Sequence, residues 1–397
     1  MNILILAGEF PPATGGIATY ACEMARAATQ LGAQVRVVAP DYFDADITLC
    51  DRPLPFTVTR FSGGLHAMRH APAKIRLARH AVAQDHYDIV HAADWPFFIP
   101  LALSRGRTDG RLLLTVHGTE INEMQTRAKR LAVHLAGVFS SRTAVVANSA
   151  FTGELLRSQF RLPQHQVRPV PLGVSDFWFG SAADGNATRR ALDITPERVV
   201  MVTVARLTRR KGHLATVAAL ANLTERLRRR VTWLVIGPDG EADYVQTLHA
   251  AIDAAGCDIR LMGPQTNERI REIYNAADFF VLTGMWDPSG RVEGFGLVYL
   301  EAGAAGLPSV ATKVGGVAEA VLADKSGILV EPWPVAIAQG LARMIEDHSL
   351  RARLKAGALA HAHTLSWERC ASQTYGVPMP PARDLRGTRH DVLPIAI

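Results

Sequence analysis

Two glutamates with seven residues between them, Glu293 and Glu301, form the pattern in this sequence with the most chemical content. At about 100° per residue they would lie about 80° apart on a continuous helix. Gly294 and Gly296 favour a loop, so we predict that Glu293 precedes a helix and that Glu301 lies about one turn inside it. Two carboxylates beside a helix start can bind sugar hydroxyls. The backbone amides at a helix start bind anions, and here they are those of Gly294, Phe295, Gly296 and Leu297. The alternative for Glu301 is a capping or surface position.

A basic loop supplies the second candidate. Arg206 and Lys211 follow the apolar segment Val199–Ala205 and precede a helical pattern. Arginine offers a planar fork of donors and lysine a point charge, and both suit a diphosphate. The alternative is a solvated basic loop, which is the common outcome for a run of charges.

Two further loops have weaker patterns. Gly15 and Gly16 stand between the first apolar strand pattern and the first helical pattern, where paired glycines let amides approach an anion. The alternative is a turn that needs a positive φ angle. His117, followed by Gly118, ends another predicted strand, where a binding histidine and a structural histidine are equally compatible with the pattern.

Length and composition exclude several protein classes. The chain has 397 residues, 48% of them hydrophobic, and a net charge of only +6, so it is globular rather than disordered. Its four cysteines are widely spaced, which argues against a zinc ribbon or a disulfide framework. A dinucleotide fingerprint is missing, which argues against a dehydrogenase. The first residues suggest a buried strand rather than a signal peptide, and no apolar run approaches the ~20 residues of a membrane span, so we expect a cytoplasmic protein.

Short apolar runs alternate with longer helical patterns along the chain, which predicts an α/β fold with parallel sheets. The pattern weakens over Pro171–Arg190 and then restarts, so we predict two doubly wound domains with the active site in the cleft between them. The predicted strands are Asn2–Ala7, Gln34–Ala39, Asp88–His91, Arg111–His117, Ala144–Asn148, Val199–Ala205, Thr232–Gly237, Ile259–Gly263, Phe279–Thr283 and Ser309–Thr312. The predicted helices include Ile17–Leu31, Leu214–Arg229, Asp243–Ala255, Asn267–Asn275 and Val335–His348.

Together these motifs resemble retaining glycosyltransferase family 4, whose GT-B fold has two Rossmann-like domains that face a cleft. The resemblance rests on Glu293 and Glu301 within segment 293–321 and on the order of the other three loops, and it covers residues 1 to about 375. Leu172 and Ser175 depart from it, since many relatives have Asn and Asp there. The resemblance implies an acceptor-binding domain (1–172 plus a returning helix at about 366–376), a donor-binding domain (173–365) and a loose tail (377–397).

The resemblance also implies a role for each candidate residue. Arg206 and Lys211 would bind the donor diphosphate, which Gly16 would approach from the first domain. Glu301 would hold the ribose hydroxyls, while Glu293 and the 295–297 backbone would contact the transferred sugar. The implied catalytic set is Glu293, His117, Arg206 and Lys211. The implied donor-binding set is Gly15, Gly16, Arg206, Lys211, Gly237, Met262, Glu293, Gly294, Phe295, Gly296, Leu297 and Glu301.

The implied reaction moves a sugar from a nucleotide diphosphate donor to an acceptor hydroxyl with retention at the anomeric carbon. We expect no metal, since no Asp-x-Asp pair occurs and cations can neutralise the leaving group, and we expect no cofactor. GDP-mannose is favoured as donor, with UDP-glucose and UDP-N-acetylglucosamine left open. The acceptor is expected to be a lipid-linked or polysaccharide-precursor glycan. The alternatives are a sugar-nucleotide epimerase of the same fold and a non-catalytic sugar-nucleotide-binding protein.

Two basic segments, Met68–His80 and Arg127–His134, mix cationic and apolar residues. Such segments can lie on anionic lipid, which would place the protein at the inner face of the cytoplasmic membrane. The alternative is an ordinary solvated helix face. Basic composition could also indicate nucleic acid, but no recognition module accompanies it, so we expect none as a partner.

Overall fold

The computed structural model describes residues 1–42, 47–62, 70–118, 121, 126–180 and 184–379. Most of the predicted tail, 380–397, and the start of the first basic segment, Met68 and Arg69, lie outside the described residues. The chain divides into two compact units. The first comprises Met1–Gly173 and the segment that begins at Ser366, and the second comprises Val174–Leu365.

The first unit is built on a seven-stranded sheet in which every pairing is parallel. The strand order is β3-β2-β1-β4-β5-β6-β7. Residues of β1 and β4 are almost wholly buried, as expected for parallel strands that helices cover. The strands are β1 Asn2–Leu6, β2 Gln34–Pro40, β3 Thr57–Phe61, β4 Ile89–Ala92, β5 Arg111–Val116, β6 Thr143–Ala147 and β7 Val167–Pro169.

The described helices of this unit include a 15-residue helix directly after β1 and a last helix that comes back from the end of the chain. The last one packs against the first. Arg111 and Arg168 both donate to the carbonyl of Thr374, and thereby attach the last helix to the start of β5 and to β7. The helices are α1 Gly16–Gln30, α2 Ile47–Asp51, α3 Ala71–Ala83, α4 Phe98–Ala102, α5 Arg127–Ala136, α6 Ala150–Phe160 and α16 Trp367–Tyr375.

The second unit contains a six-stranded parallel sheet in the order β10-β9-β8-β11-β12-β13. Its strands are β8 Val199–Val204, β9 Val231–Ile236, β10 Asp258–Gly263, β11 Phe279–Leu282, β12 Ser309–Thr312 and β13 Gly327–Val330. Its helices are α7 Gly185–Ala191, α8 His213–Ala221, α9 Glu225–Arg228, α10 Ala242–Ala254, α11 Asn267–Ala276, α12 Leu297–Ala304, α13 Val317–Ala320, α14 Pro334–Glu346 and α15 His348–His363.

The predicted fold class is confirmed: both units are Rossmann-like, with parallel strands joined through helices. Two details of the predicted elements are wrong. The helix expected over Leu214–Arg229 is interrupted after Ala221, where the Asn222 side chain turns back to donate to the Ala218 carbonyl. The sequence analysis also missed β3, β7 and β13, each of which lies at the edge of its sheet.

The strand orders locate the point in each sheet where a ligand is expected. In the first sheet the order reverses between β1 and β4, and in the second between β8 and β11. In open parallel sheets, ligands bind beyond the carboxyl ends of the strands at such a reversal. Ligand-binding residues are therefore expected in the loops after these four strands and in the loop after β5.

Candidate functional site

The central feature of the second unit is an ion-pair cluster that joins the loops after β8 and β11. The Lys211 ammonium lies 2.5 Å from Oε2 of Glu293, and Nη1 of Arg210 lies 3.2 Å from the same oxygen. The three side chains are only 16–17% exposed. Two cations thus share one carboxylate, which leaves a net positive charge in a partly buried position.

The same cluster determines the ionisation of its members. Burial raises the pKa of Glu293, but Lys211 and Arg210 outweigh it and bring the pKa down to about 2. Burial lowers the pKa of Lys211, and attraction to Glu293 only partly reverses this. Glu293 is therefore a carboxylate throughout the physiological range, held by cations on one side.

Arg206 lies beyond the end of β8 and is exposed. Within the described part of the chain, its guanidinium has no ion-pair or hydrogen-bond partner, unlike its neighbours Arg209 and Arg210. Its charge nevertheless reaches the cluster, since it helps to lower the pKa of Lys211. Sequence reasoning selected Arg206 and Lys211 but missed Arg210, because a run of basic residues does not indicate which of them points inward.

The helix beside this cluster starts later than the sequence analysis predicted. Helix α12 begins at Leu297, with Gly296 as its N-cap at φ +94°, so the first-turn amides are those of Leu297 and Val298 rather than those from Gly294 onward. A β-carbon on Gly296 would lie 2.6 Å from the Tyr299 ring, and the positive φ also favours glycine there. The helix start therefore depends on this glycine.

Glu301 lies one turn inside α12 and is 6% exposed. Burial, together with the charge of Glu301, raises the pKa of Tyr274. On the other side of the helix start, the carbonyl of Glu293 accepts from the Gly316 amide at 3.0 Å. The two glutamates are thus fixed by different elements, Glu293 by a loop and Glu301 by a helix.

Gly237 and Met262 come together because β9 and β10 are neighbours. The Gly237 amide donates to the Gly263 carbonyl at 3.0 Å, and Met262 beside it is partly exposed. A β-carbon on Gly237 would stand 2.1 Å from the Ala205 carbonyl oxygen. Close approach of backbones accounts for this glycine without any ligand.

In the first unit, the Gly15–Gly16 pair stands at the start of α1, and Gly16 is exposed. The loop that leads to it is held at its other end by Asp94, because Oδ1 of this buried carboxylate accepts from the Gly8 amide at 2.8 Å. Sequence reasoning missed Asp94, which lies two residues after β4 and beside the strand-order reversal. Its position after a buried strand was the available signal.

His117 follows β5 and is held by its backbone neighbours. Its Nε2 lies 2.9 Å from the Ala93 carbonyl, which can only accept, so Nε2 carries the proton. The Asn148 amide donates to the His117 carbonyl, and the Tyr20 ring meets the imidazole edge to face at 4.7 Å. The histidine is therefore fixed in both tautomer and orientation.

Behind His117 runs a buried chain of hydrogen bonds. The Tyr20 hydroxyl bonds to Thr115 Oγ1, which bonds to Nε2 of His91, and Nδ1 of His91 bonds to the hydroxyl of Tyr375, with distances of 2.8–2.9 Å. Tyr375 belongs to α16, so the returning helix completes the network. No local pattern in the sequence indicates this network, since its members come from four distant segments.

The histidines of this network are neutral. Burial, with repulsion from His117 and Arg111, lowers the pKa of His91 to about 3. Burial also lowers the pKa of His117, against the opposing effects of the Ala93 carbonyl and of Glu9. Across the described residues, no three His, Cys, Asp or Glu side chains gather as a candidate metal site.

Two family models match this chain. The family described as "Glycosyltransferase Family 4" matches residues 14–176, and the one described as "Glycosyl transferases group 1" matches residues 184–361. The two matches correspond to the two units, and together they include the candidate residues from Gly15 to Glu301, whereas Gly8 and Tyr375 lie outside them.

Individual proteins agree with these matches. The chain is 31% identical to a D-inositol 3-phosphate glycosyltransferase of Actinosynnema mirum, over 72% of this chain and 70% of the relative. It is 26% identical to a GDP-mannose-dependent alpha-(1-6)-phosphatidylinositol monomannoside mannosyltransferase of Mycobacterium tuberculosis, over 87% and 89% of the two chains. Its fold is similar to that of Anabaena HepE in complex with UDP and glucose, with a TM-score of 0.75, 23% identity and coverage of 94% and 98%.

Proposed function

This chain belongs to glycosyltransferase family 4, and we propose that it transfers a hexosyl group from a nucleotide diphosphate sugar to an acceptor hydroxyl with retention at the anomeric carbon. The observation that carries the proposal is the cluster of Lys211, Arg210 and Glu293 beside the exposed Arg206. Its excess positive charge lies beyond the carboxyl ends of β8 and β11, close to the start of α12.

The cluster suits a departing diphosphate. Arg206 and Lys211 would bind the phosphate oxygens, and the first amides of α12 would add donors at the same place. Cations placed in advance where negative charge develops lower a barrier by several kcal/mol, on the order of 3 per donor. They would also make a divalent metal unnecessary, so we expect full activity after treatment with a chelator. A loss of activity that Mg²⁺ restores would contradict this part of the proposal.

Retention would follow from attack on the same face that the leaving group departs from. The bond from the anomeric carbon to the phosphate oxygen breaks, the bond to the acceptor oxygen forms, and the acceptor proton passes to the departing phosphate. Glu293, whose pKa of about 2 reflects its two cationic partners, would orient the sugar and hold Lys211. His117 would lie near the sugar from the first unit, and Gly16 would approach the diphosphate.

The donor is proposed to be GDP-mannose, which the Mycobacterium tuberculosis relative's name also specifies for that enzyme. UDP-glucose is the second candidate, since Anabaena HepE binds it. In either case Glu301 would hold the ribose hydroxyls, and Gly237 and Met262 would border the base. The acceptor is proposed to be a lipid-linked or polysaccharide-precursor glycan.

An epimerase of the same fold remains the competing reaction class. It would alter the donor without any acceptor, whereas a transferase needs one. Incubation with GDP-mannose or UDP-glucose alone, followed by NMR of the sugar, separates the two. A binding protein without catalysis would show affinity for nucleotide but no product with any acceptor tried.

The two glutamates offer a direct test of the proposed roles. We expect Glu301→Ala to weaken nucleotide binding in calorimetry and Glu293→Ala chiefly to lower kcat. The matched control is Glu319→Ala, which removes a glutamate in the same unit that is not part of the proposed site. Wild-type affinity and turnover in both site variants would remove the assignment of both residues.

We propose that the enzyme works in the cytoplasm, at the inner face of the membrane, where a lipid-linked acceptor is available. Among the helices of the described residues, none is both long and apolar enough to cross a bilayer.

A further inference from the structure

Helix α5 presents large apolar side chains on its outer side. Leu131 is 57% and Leu135 is 74% exposed, while the residues that α5 buries are the smaller Val133 and Ala136. Single exposed leucines are common on protein surfaces. Two of them four residues apart lie on one face of a helix, one turn from each other, so this side of α5 is an apolar stripe.

Basic side chains accompany the stripe. Arg127 continues it one turn earlier, and Arg130 and His134 are exposed on its flank. We call these five residues, Arg127, Arg130, Leu131, His134 and Leu135, the α5 face. Helix α5 contains no acidic residue. Neither do α4, which packs against it, and the following turn, where Arg105 donates to the carbonyls of Ala136 and Gly137.

The other basic segment has a different exposure. In α3 the lysine that precedes the apolar residues, Lys74, is buried with its ammonium 5.7 Å from the Phe97 ring centre. Ile75 and Leu77 are partly covered, so α3 exposes mainly Arg76 and Arg79. The sequence pattern is alike in the two segments, whereas the structure shows exposed charge beside exposed large apolar side chains on α5 and not on α3.

We propose that the α5 face lies on the surface of an anionic lipid bilayer. Leu131 and Leu135 would enter the boundary between headgroups and acyl chains, and Arg127 and Arg130 would contact anionic headgroups. Nucleic acid would satisfy the arginines but offers its phosphates, not an apolar layer, to two exposed leucines. The inference rests on the proposed function only for its biological reason, a lipid-linked acceptor, since the binding itself needs no catalysis.

The test is co-sedimentation of the full-length protein with vesicles of phosphatidylcholine alone or with about a third phosphatidylglycerol. We expect binding to the anionic vesicles, weaker binding to the neutral ones and weakening by salt. The double variant Leu131→Ser/Leu135→Ser should lower the partition coefficient by about tenfold or more, since each leucine loses an apolar contact. Arg127→Gln should lower binding to the anionic vesicles only.

The matched control is Leu49→Ser, which removes a leucine of similar exposure, 60%, from another helix of the same unit. It should bind vesicles like the wild type. Equal binding by the double variant and the wild type would overturn the proposal, as would equal binding to neutral and anionic vesicles.

Failure of this inference and failure of the proposed function are separate results. Nucleotide binding and turnover with a short water-soluble acceptor do not involve the α5 face, so the double variant should retain both. If vesicle binding follows the α5 face while no acceptor is ever glycosylated, the surface proposal stands and the reaction is wrong. If turnover is normal but the variants bind vesicles like the wild type, the proposed reaction stands and the surface proposal is wrong.

Discussion

The two units build their polar sites from opposite kinds of groups. In the second unit, Glu293 is held between Lys211 and Arg210, and every member is charged. In the first unit, His117 and His91 are held by carbonyl and hydroxyl groups, and both are neutral. We propose that this difference reflects two tasks, in which the charged site binds an anionic diphosphate and the neutral site an uncharged sugar or acceptor.

Physical cost explains why the two arrangements differ. A buried charge is expensive unless it is paired, and removal of one partner from such a pair costs about 3–5 kcal/mol. In the second unit this cost is offset because one carboxylate, that of Glu293, pairs with two cations. A neutral network has no such cost when each buried donor and acceptor is satisfied, but it depends on precise geometry. Charge thus makes the second site sensitive to substitutions of charge, and the first site sensitive to substitutions of shape.

The largest effect should come from removing charge in the second unit. Lys211→Met deletes the cation proposed to bind the diphosphate, and kcat should fall by about 10²–10³-fold, as it does when one preorganised donor is lost. The control is Arg209→Ala in the same loop. Arg209 pairs with Asp243 and Glu241 instead, so its loss should leave kcat at the wild-type level. Similar kcat values for Lys211→Met and Arg209→Ala would contradict the proposal that Lys211, unlike Arg209, binds the diphosphate.

In the first unit, removal of an aromatic ring should lower kcat more than removal of a hydroxyl group. Tyr20→Phe keeps the ring against His117 and removes one hydrogen bond, so the free energy of unfolding should fall by about 1 kcal/mol with little change in kcat. Tyr20→Leu also removes the ring and should lower kcat further, with KM for the donor nearly unchanged. Denaturant titrations and steady-state kinetics measure both. The prediction is wrong if Tyr20→Leu retains the kcat of Tyr20→Phe.

The last prediction concerns pH. His91 has a pKa of about 3 when folded and about 6.5 when unfolded. Between these values the unfolded chain binds a proton that the folded one does not, so stability is fully present above pH ~6.5 and is lost as pH falls towards 3. His91→Gln should reduce the slope of unfolding free energy against pH by about 1.4 kcal/mol per unit in this window. An unchanged slope would show that His91 is not neutral in the folded state.

Some of this molecule could be predicted from the sequence. The inner strands could be predicted, because continuous apolar runs such as that of β8 occur where both faces of a strand are buried. The edge strands β3 and β13 could not, because edge positions keep residues partly exposed and weaken the pattern. At the break between α8 and α9 the Asn222 side chain donates to the Ala218 carbonyl, a contact that a periodic pattern does not reveal.

The candidate site shows the same limit. Glycines beside Glu293 indicated correctly that it lies in a loop ahead of α12. Its contact with Lys211 spans 82 positions and depends on β8 and β11 being neighbours, which no local spacing encodes. The bond between His91 and Tyr375 spans 284 positions. Patterns in the sequence identified residue types for binding, whereas the partners that set their ionisation required the sheet order.

The central claim is that the cations after β8 bind the diphosphate of a nucleotide. It is tested most directly by thermal shift of the purified protein with GDP, UDP, ADP and NAD in turn, repeated with Arg206→Gln. We predict stabilisation by GDP, or by UDP if the donor is a glucose nucleotide, of about 2.7 kcal/mol at 100 times the dissociation constant. Arg206→Gln should require more nucleotide for the same shift. A folded protein that responds to none of the four, or a variant that responds like the wild type, would contradict the claim.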